Sequence, residues 1–111
     1  NLGNDKQSSD NLYQFMIEPD SLNEEEKFQA IMNLHSLMLV FQNAYYLELE
    51  GTLDDRLKKS LTSTIKGAKD QKGFKYYWSI RKSNFFDEFK KYVDEILLIE
   101  EQSVNIYNTI E

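Results

Sequence analysis

Only four glycines and one proline punctuate these 111 residues, and that scarcity removes most of the folds open to a chain of this length. A sandwich or barrel of short strands turns back every 8–12 residues or so, usually through Gly or Pro. Long helices joined at few points remain. With 41% hydrophobic and 14% aromatic residues, the chain has material for one core, and one domain of this size buries about two-thirds of its unfolded surface. There is no cysteine, which excludes a disulfide-stapled scaffold, a thiolate metal site and a cysteine nucleophile.

Periodicity predicts where the helices lie. Residues 1–11 are polar and read as a flexible N-terminal segment. Leu12–Ile17 could close a short helix or lie extended against the core, and Glu18-Pro19 ends it. Ser21 reads as an N-cap, with Glu24 three residues on to complete a capping box. The set Phe28, Ile31, Met32, Leu34, Met38, Phe41, Ala44 and Tyr45 follows three- and four-residue steps. From Leu34 to Phe41 almost every position is apolar, so Glu24–Leu49 is predicted as a long, buried central helix ended by Gly51. Thr52 reads as the cap of a second helix with the stripe Leu53, Leu57, Leu61 and Ile65. Residues 67–73 read as a connection. Phe74, Tyr77 and Trp78 mark a short third helix, and Phe85, Phe86, Phe89, Val93, Ile96 and Leu97 a fourth capped by Asn84 and running to about residue 101. The expected fold is therefore all-α: a compact bundle of about four helices, with scope for a short N-terminal one. Residues 12–101 form the helical domain and 102–111 a C-terminal tail.

Two stretches form a recurring signature. One is Phe41-Gln42-Asn43-Ala44-Tyr45-Tyr46 followed by Glu50-Gly51-Thr52-Leu53-Asp54-Asp55. The other is Gly73-Phe74, Tyr77-Trp78, Arg81, Phe85, Glu88-Phe89 and Tyr92-Val93-Asp94-Glu95. Together they resemble a group of bacterial proteins, without an established function, that join an N-terminal membrane helix to a small helical cytoplasmic domain. The group's pattern reads F-x-N-x-Y-Y, G-x-L-D, G-x-x-x-x-W and F-x-x-Y-V-D-E, and the likeness covers about residues 12–98. The chain departs from it at Phe86-Asp87, where the group tends to have serine and proline. The resemblance implies a helical domain held at the cytoplasmic face of a bacterial membrane by a segment outside this chain. The chain itself opens at Asn1 and reads as a soluble fragment.

Charge is unevenly spread. Residues 56–91 carry eleven Lys or Arg against three Asp or Glu, although the whole chain is net -6. Lys58, Lys59, Lys66, Lys69, Lys72 and Lys75 are the candidate interaction surface. Tyr76, Tyr77 and Trp78 lie among basic residues, as aromatics do where nucleobases stack. At helical spacing, however, Phe74, Tyr77, Trp78 and Arg81 share one side, as a core face does. A pI near 4.8 also weighs against nucleic acid. His35 lies on the most apolar stretch and no spacing names an acid–base partner for it. Glu48, Glu50, Asp54 and Asp55 around Gly51 could offer oxygen ligands to a hard cation, but lack EF-hand spacing. No glycine-rich phosphate loop, nucleophile elbow or HExxH helix occurs.

No catalytic, cofactor or metal residue is therefore assigned. The expectation is a non-enzymatic interaction or sensory module with a protein partner, homo-oligomerisation being open. The alternative is a nucleic-acid-associated module using residues 56–91.

Overall fold

The computed structural model describes residues 2–51 and 54–99, with side chains from Asp10 onward. Among the described residues five α-helices run in order: α1 (Leu2–Ile17), α2 (Glu24–Leu49), α3 (Asp55–Ala68), α4 (Lys72–Arg81) and α5 (Asp87–Leu97). Single 3₁₀ turns at Pro19–Ser21 and Lys82–Asn84 precede α2 and α5. No strand occurs among the described residues. The all-α expectation holds, with five helices in place of about four. Helix α1 packs on α2 and α4, α2 on α3 and α4, and α3 on α5.

The extra helix has a simple cause. Phe15 and Met16 are buried, and the Asn11 amide donates to Gln29 Oε1 of α2 at 3.3 Å. Once those residues are held in helical form, each further residue adds a hydrogen bond at little cost. The helix thus begins at Leu2, well before the predicted Leu12. The tail 102–111 lies outside the described residues, and the last helix, expected to run to about residue 101, ends at Leu97, with Leu98 in a turn and Ile99 beyond it.

The caps shift as well. Asn23, not Ser21, caps α2: its Oδ1 accepts from the Glu26 N–H at 2.8 Å, and its own N–H donates to Glu26 Oε1 at 3.0 Å. Ser21 is used in the preceding turn, where its hydroxyl donates to the Glu18 carbonyl. Both residues satisfy the capping-box spacing, and the turn set by Pro19 decides between them. Asp54 caps α3 through the Arg56 N–H and also pairs with the Arg56 guanidinium, which holds Asp54 below the usual carboxylate range. Thr52 and Leu53 lie outside the described residues. Helix α5 has no side-chain cap of its own, and Asn84 belongs to the 3₁₀ turn. Gln42 of α2 reaches across instead, its Oε1 accepting from the Phe86 N–H at 2.8 Å.

Two glycines are required for different reasons. Gly51 sits just past the end of α2 at φ +76°, as predicted, in the left-handed conformation that favours glycine. Gly73, predicted to close a loop, lies in the first turn of α4 against the α1 backbone. A Cβ there would overlap the Phe15 carbonyl oxygen and stand 2.8 Å from Met16 Cα. The connection itself shrinks to residues 69–71.

The core joins Phe15, Leu34, Met38, Ile65, Phe74, Tyr77, Trp78, Phe89 and Val93. Helix α2 is not buried all round. Phe28 is 61% and Val40 63% exposed, and Met32, Leu37 and Leu39 are also exposed, while Leu34 and Met38 face inward. Leu57 of the predicted α3 stripe is exposed too.

These contacts separate the two glycines in a mutant. Gly73→Ala drives a methyl into backbone, so it should cost about 3 kcal/mol. Gly51→Ala has open space and only a backbone penalty, about 1 kcal/mol. Urea melts of both variants check the order, and equal losses would contradict the close approach of α1 and α4.

Candidate functional site

The six lysines proposed as a surface do not share one environment. Lys58 is half-buried, with Nζ 5.7 Å from the Tyr45 ring centroid. Lys69 is buried, its ammonium held by the neighbouring Asp70 carboxylate at 3.0 Å, since a buried charge needs a partner. It is thereby removed from any docking face. Lys72 is exposed but reaches Glu18 at 3.2 Å, tying α4 to the end of α1. Lys66 is half-buried in the last turn of α3, while Lys59 and Lys75 are exposed. Of the aromatics among them, Tyr77 and Trp78 are buried and Tyr76 is exposed.

Trp78 shows why the core reading of these aromatics is the physical one. Its ring lies 5.4 Å from Phe85 and 6.5 Å from Phe89, between centroids. Its indole N–H donates to Asp94 Oδ1 at 2.7 Å, and Lys82 Nζ donates to Asp94 Oδ2 at 3.2 Å. One carboxylate therefore joins α4, the 3₁₀ turn and α5. Beside it, Lys75, Trp78, Ser79, Lys82 and Leu97 line an open groove of about 510 Å³.

The other signature residues meet in the same seam. Tyr45 of α2 stacks on Tyr92 of α5, with centroids 4.7 Å apart, and sets its edge towards Phe89. Tyr46 meets Phe86 edge-on. The Tyr92 and Thr62 hydroxyls share a short hydrogen bond that fastens α5 to α3. The motifs quoted above are thus mainly the contacts among α2, α4 and α5.

His35 is half-buried on α2. Its Nδ1 lies 2.7 Å from the Tyr77 hydroxyl, and its ring meets Phe85 edge-on. Burial lowers the His35 pKa, and the nearby Arg81 lowers it further. Burial raises the Tyr77 pKa far above the usual phenol value, although Arg81 opposes this. A neutral imidazole and a protonated phenol are therefore the favoured pair, which suits a structural hydrogen bond across the α2–α4 contact.

The carboxylates around Gly51 are separated by their duties. Asp54 is spent on the α3 cap, and Glu48 holds one buried oxygen, Oε2, without a hydrogen bond. Among the described residues no three His, Asp or Glu side chains are placed to hold a metal ion. No described helix is long and apolar enough to cross a membrane.

The remaining feature is one that periodicity misassigned. At 100° per residue, Phe28, Met32, Leu39 and Val40 of α2 fall within an arc of about 120°. That arc points away from Leu34, Met38 and Phe41, which pack on the core. Between Lys27 and Glu48 the helix carries no Asp, Glu, Lys or Arg. The result is an exposed, charge-free face along α2 on which Phe28, Met32, Leu39 and Val40 are interleaved with Gln29, Ser36 and Asn43. The near-continuous apolar run from Leu34 to Phe41 could have signalled it, since a two-layer bundle this small cannot surround a helix. The chain matches no family model, no curated protein and no solved structure.

Two predictions test this geometry. Trp78→Ala should destabilise by about 3–5 kcal/mol, and Trp78→Phe, which loses chiefly the bond to Asp94, by about 1 kcal/mol. Urea melts decide, and an unchanged midpoint for the alanine variant would place the indole outside the core. The second concerns pH. A histidine with a lowered folded pKa binds fewer protons when folded than when unfolded. Its stabilisation is full above an unfolded value of about 6.5 and is lost as pH falls through the window below it. Stability should therefore decline as pH falls below about 6.5, and less steeply in His35→Gln. Equal slopes in urea melts would contradict the buried neutral imidazole.

Proposed function

We propose that the chain is a non-enzymatic helical interaction module, and that it works at the cytoplasmic face of a bacterial membrane, attached through a segment outside this chain. The observation that carries the interaction reading is the apolar outer face of α2. Soluble proteins rarely leave contiguous apolar patches of more than a few hundred Å² without a binding role. The membrane setting rests on the likeness of the F-x-N-x-Y-Y and Y-V-D-E motifs to the anchored bacterial group.

The side chains favour this over a nucleic-acid role. Stacking needs open aromatic faces and free cations, whereas Tyr77 and Trp78 are buried. Glu18, Asp70 and Asp94 lie against Lys72, Lys69 and Lys82, so much of the basic stretch is already answered by acids.

A photo-crosslinking residue at Val40 in the full gene product, irradiated in cells, tests the reading. Adducts should form from Val40 and not from the same probe at Lys59. Adducts confined to Lys59, or to nucleic acid, would overturn it and favour the basic face.

A further inference from the structure

We infer that the outer face of α2 docks a second copy of this chain, the two helices packing antiparallel about a two-fold axis near Ser36. The inference rests on the interaction-module reading and names its partner.

Three observations select a second copy. The first is charge. A chain of net -6 repels itself over most of its surface, but the stretch between Lys27 and Glu48 brings no like charges together. No other described helix has a comparable charge-free length.

The second is area. Phe28, Met32, Leu39 and Val40, exposed by 38–63%, with Gln29, Ser36 and Asn43 between them, form a patch below the ~800 Å² per partner of a standard interface, which fits a weak, reversible dimer.

The third is register. An isologous contact must be self-complementary. Centred on Ser36, an exposed small residue that lets the backbones approach, it sets Met32 against Val40 of the second copy. It also sets Gln29 against the other copy's Asn43. Gln29 Oε1 accepts from Asn11, and its NH₂ is the group that would donate to the Asn43 side-chain carbonyl of the second copy. A crossing near 20° keeps the faces in contact over several turns. In this register Glu24 and Glu25 stand near Glu48 and Glu50 of the other copy, so acids meet acids at both ends and salt relieves the repulsion.

Sedimentation equilibrium of the purified chain, over micromolar concentrations at low and high salt, reads the outcome. A dimer of the 13.2 kDa chain should appear and tighten with salt, since the driving force is apolar and the ends repel. Val40→Glu should weaken it at least roughly tenfold, with circular dichroism unchanged and the melting midpoint unchanged at dilutions where the parent chain is also monomeric, and Lys59→Glu should not. Because the chain has no cysteine, Ser36→Cys should yield an intermolecular disulfide under mild oxidation and Lys59→Cys should not. A monomer at every concentration, or a dimer that salt weakens and Val40→Glu leaves intact, would overturn the inference. If the chain is monomeric while the Val40 probe captures a different protein in cells, self-docking fails and the module reading stands. If neither contact forms, both fail.

Discussion

The indole of Trp78 satisfies two demands of this fold at once. Its ring fills the space between Phe85 and Phe89, and its N–H finds an acceptor in Asp94. A buried indole without a partner would lose much of what its area gains. Asp94 in turn holds Lys82, so the short turn between α4 and α5 is closed from both sides. With α5 fixed, Tyr92 and Phe89 stand where Tyr45 can pack on them. Gln42 then reaches the open first turn of α5. The chain of dependence runs from α4 to α5 and then to the inner face of α2.

On the other side of α4, Gly73 lets α1 come down to backbone contact, and Phe15 and Met16 enter the core through that approach. Helix α4 is thus short but gripped from both sides, by α1 and by the aromatic seam. Helix α2 is long and gripped on one side alone. A chain of this size has too few elements to wrap it, so an apolar helix keeps an apolar outer face. The proposed role as a docking element follows from that imbalance.

How much of this could be read in the residues varies with how local the cause is. Gly51, Glu24–Leu49 and the burial of Trp78 were legible, because a left-handed helix end, a helical period and an aromatic stripe all act within a turn or two. The α2 cap was ambiguous between Ser21 and Asn23, which both have a glutamate three residues on. Gln42 could not be seen as the cap of α5, since its partner lies on another helix. Gly73 looked like loop because its reason is the α1 backbone. The start of α1 depended on the anchorage of Phe15, which periodicity in a polar segment does not reveal. Lys69 counted as surface charge until the fold set it inside beside Asp70. Most important, Phe28 and Met32 fitted the inward period of α2. A helix apolar on all sides gives no phase, and only the packing partners decide which side is covered.

Helix α2 buries Ala30, Ile31, Leu34 and Met38 on one face and leaves Phe28, Met32, Leu39 and Val40 exposed on the other. The chain carries its own probes, since its methionines are Met16, Met32 and Met38. Met38 is 1% and Met32 38% exposed on the same helix. Peroxide oxidation follows exposure of the thioether, and mass spectrometry of dilute protein, with any dimer dissociated, resolves the three sites. Met32 should oxidise at least roughly tenfold faster than Met38 and Met16. Oxidation of Met38 at the rate of Met32 would mean that α2 does not sit on the core as described.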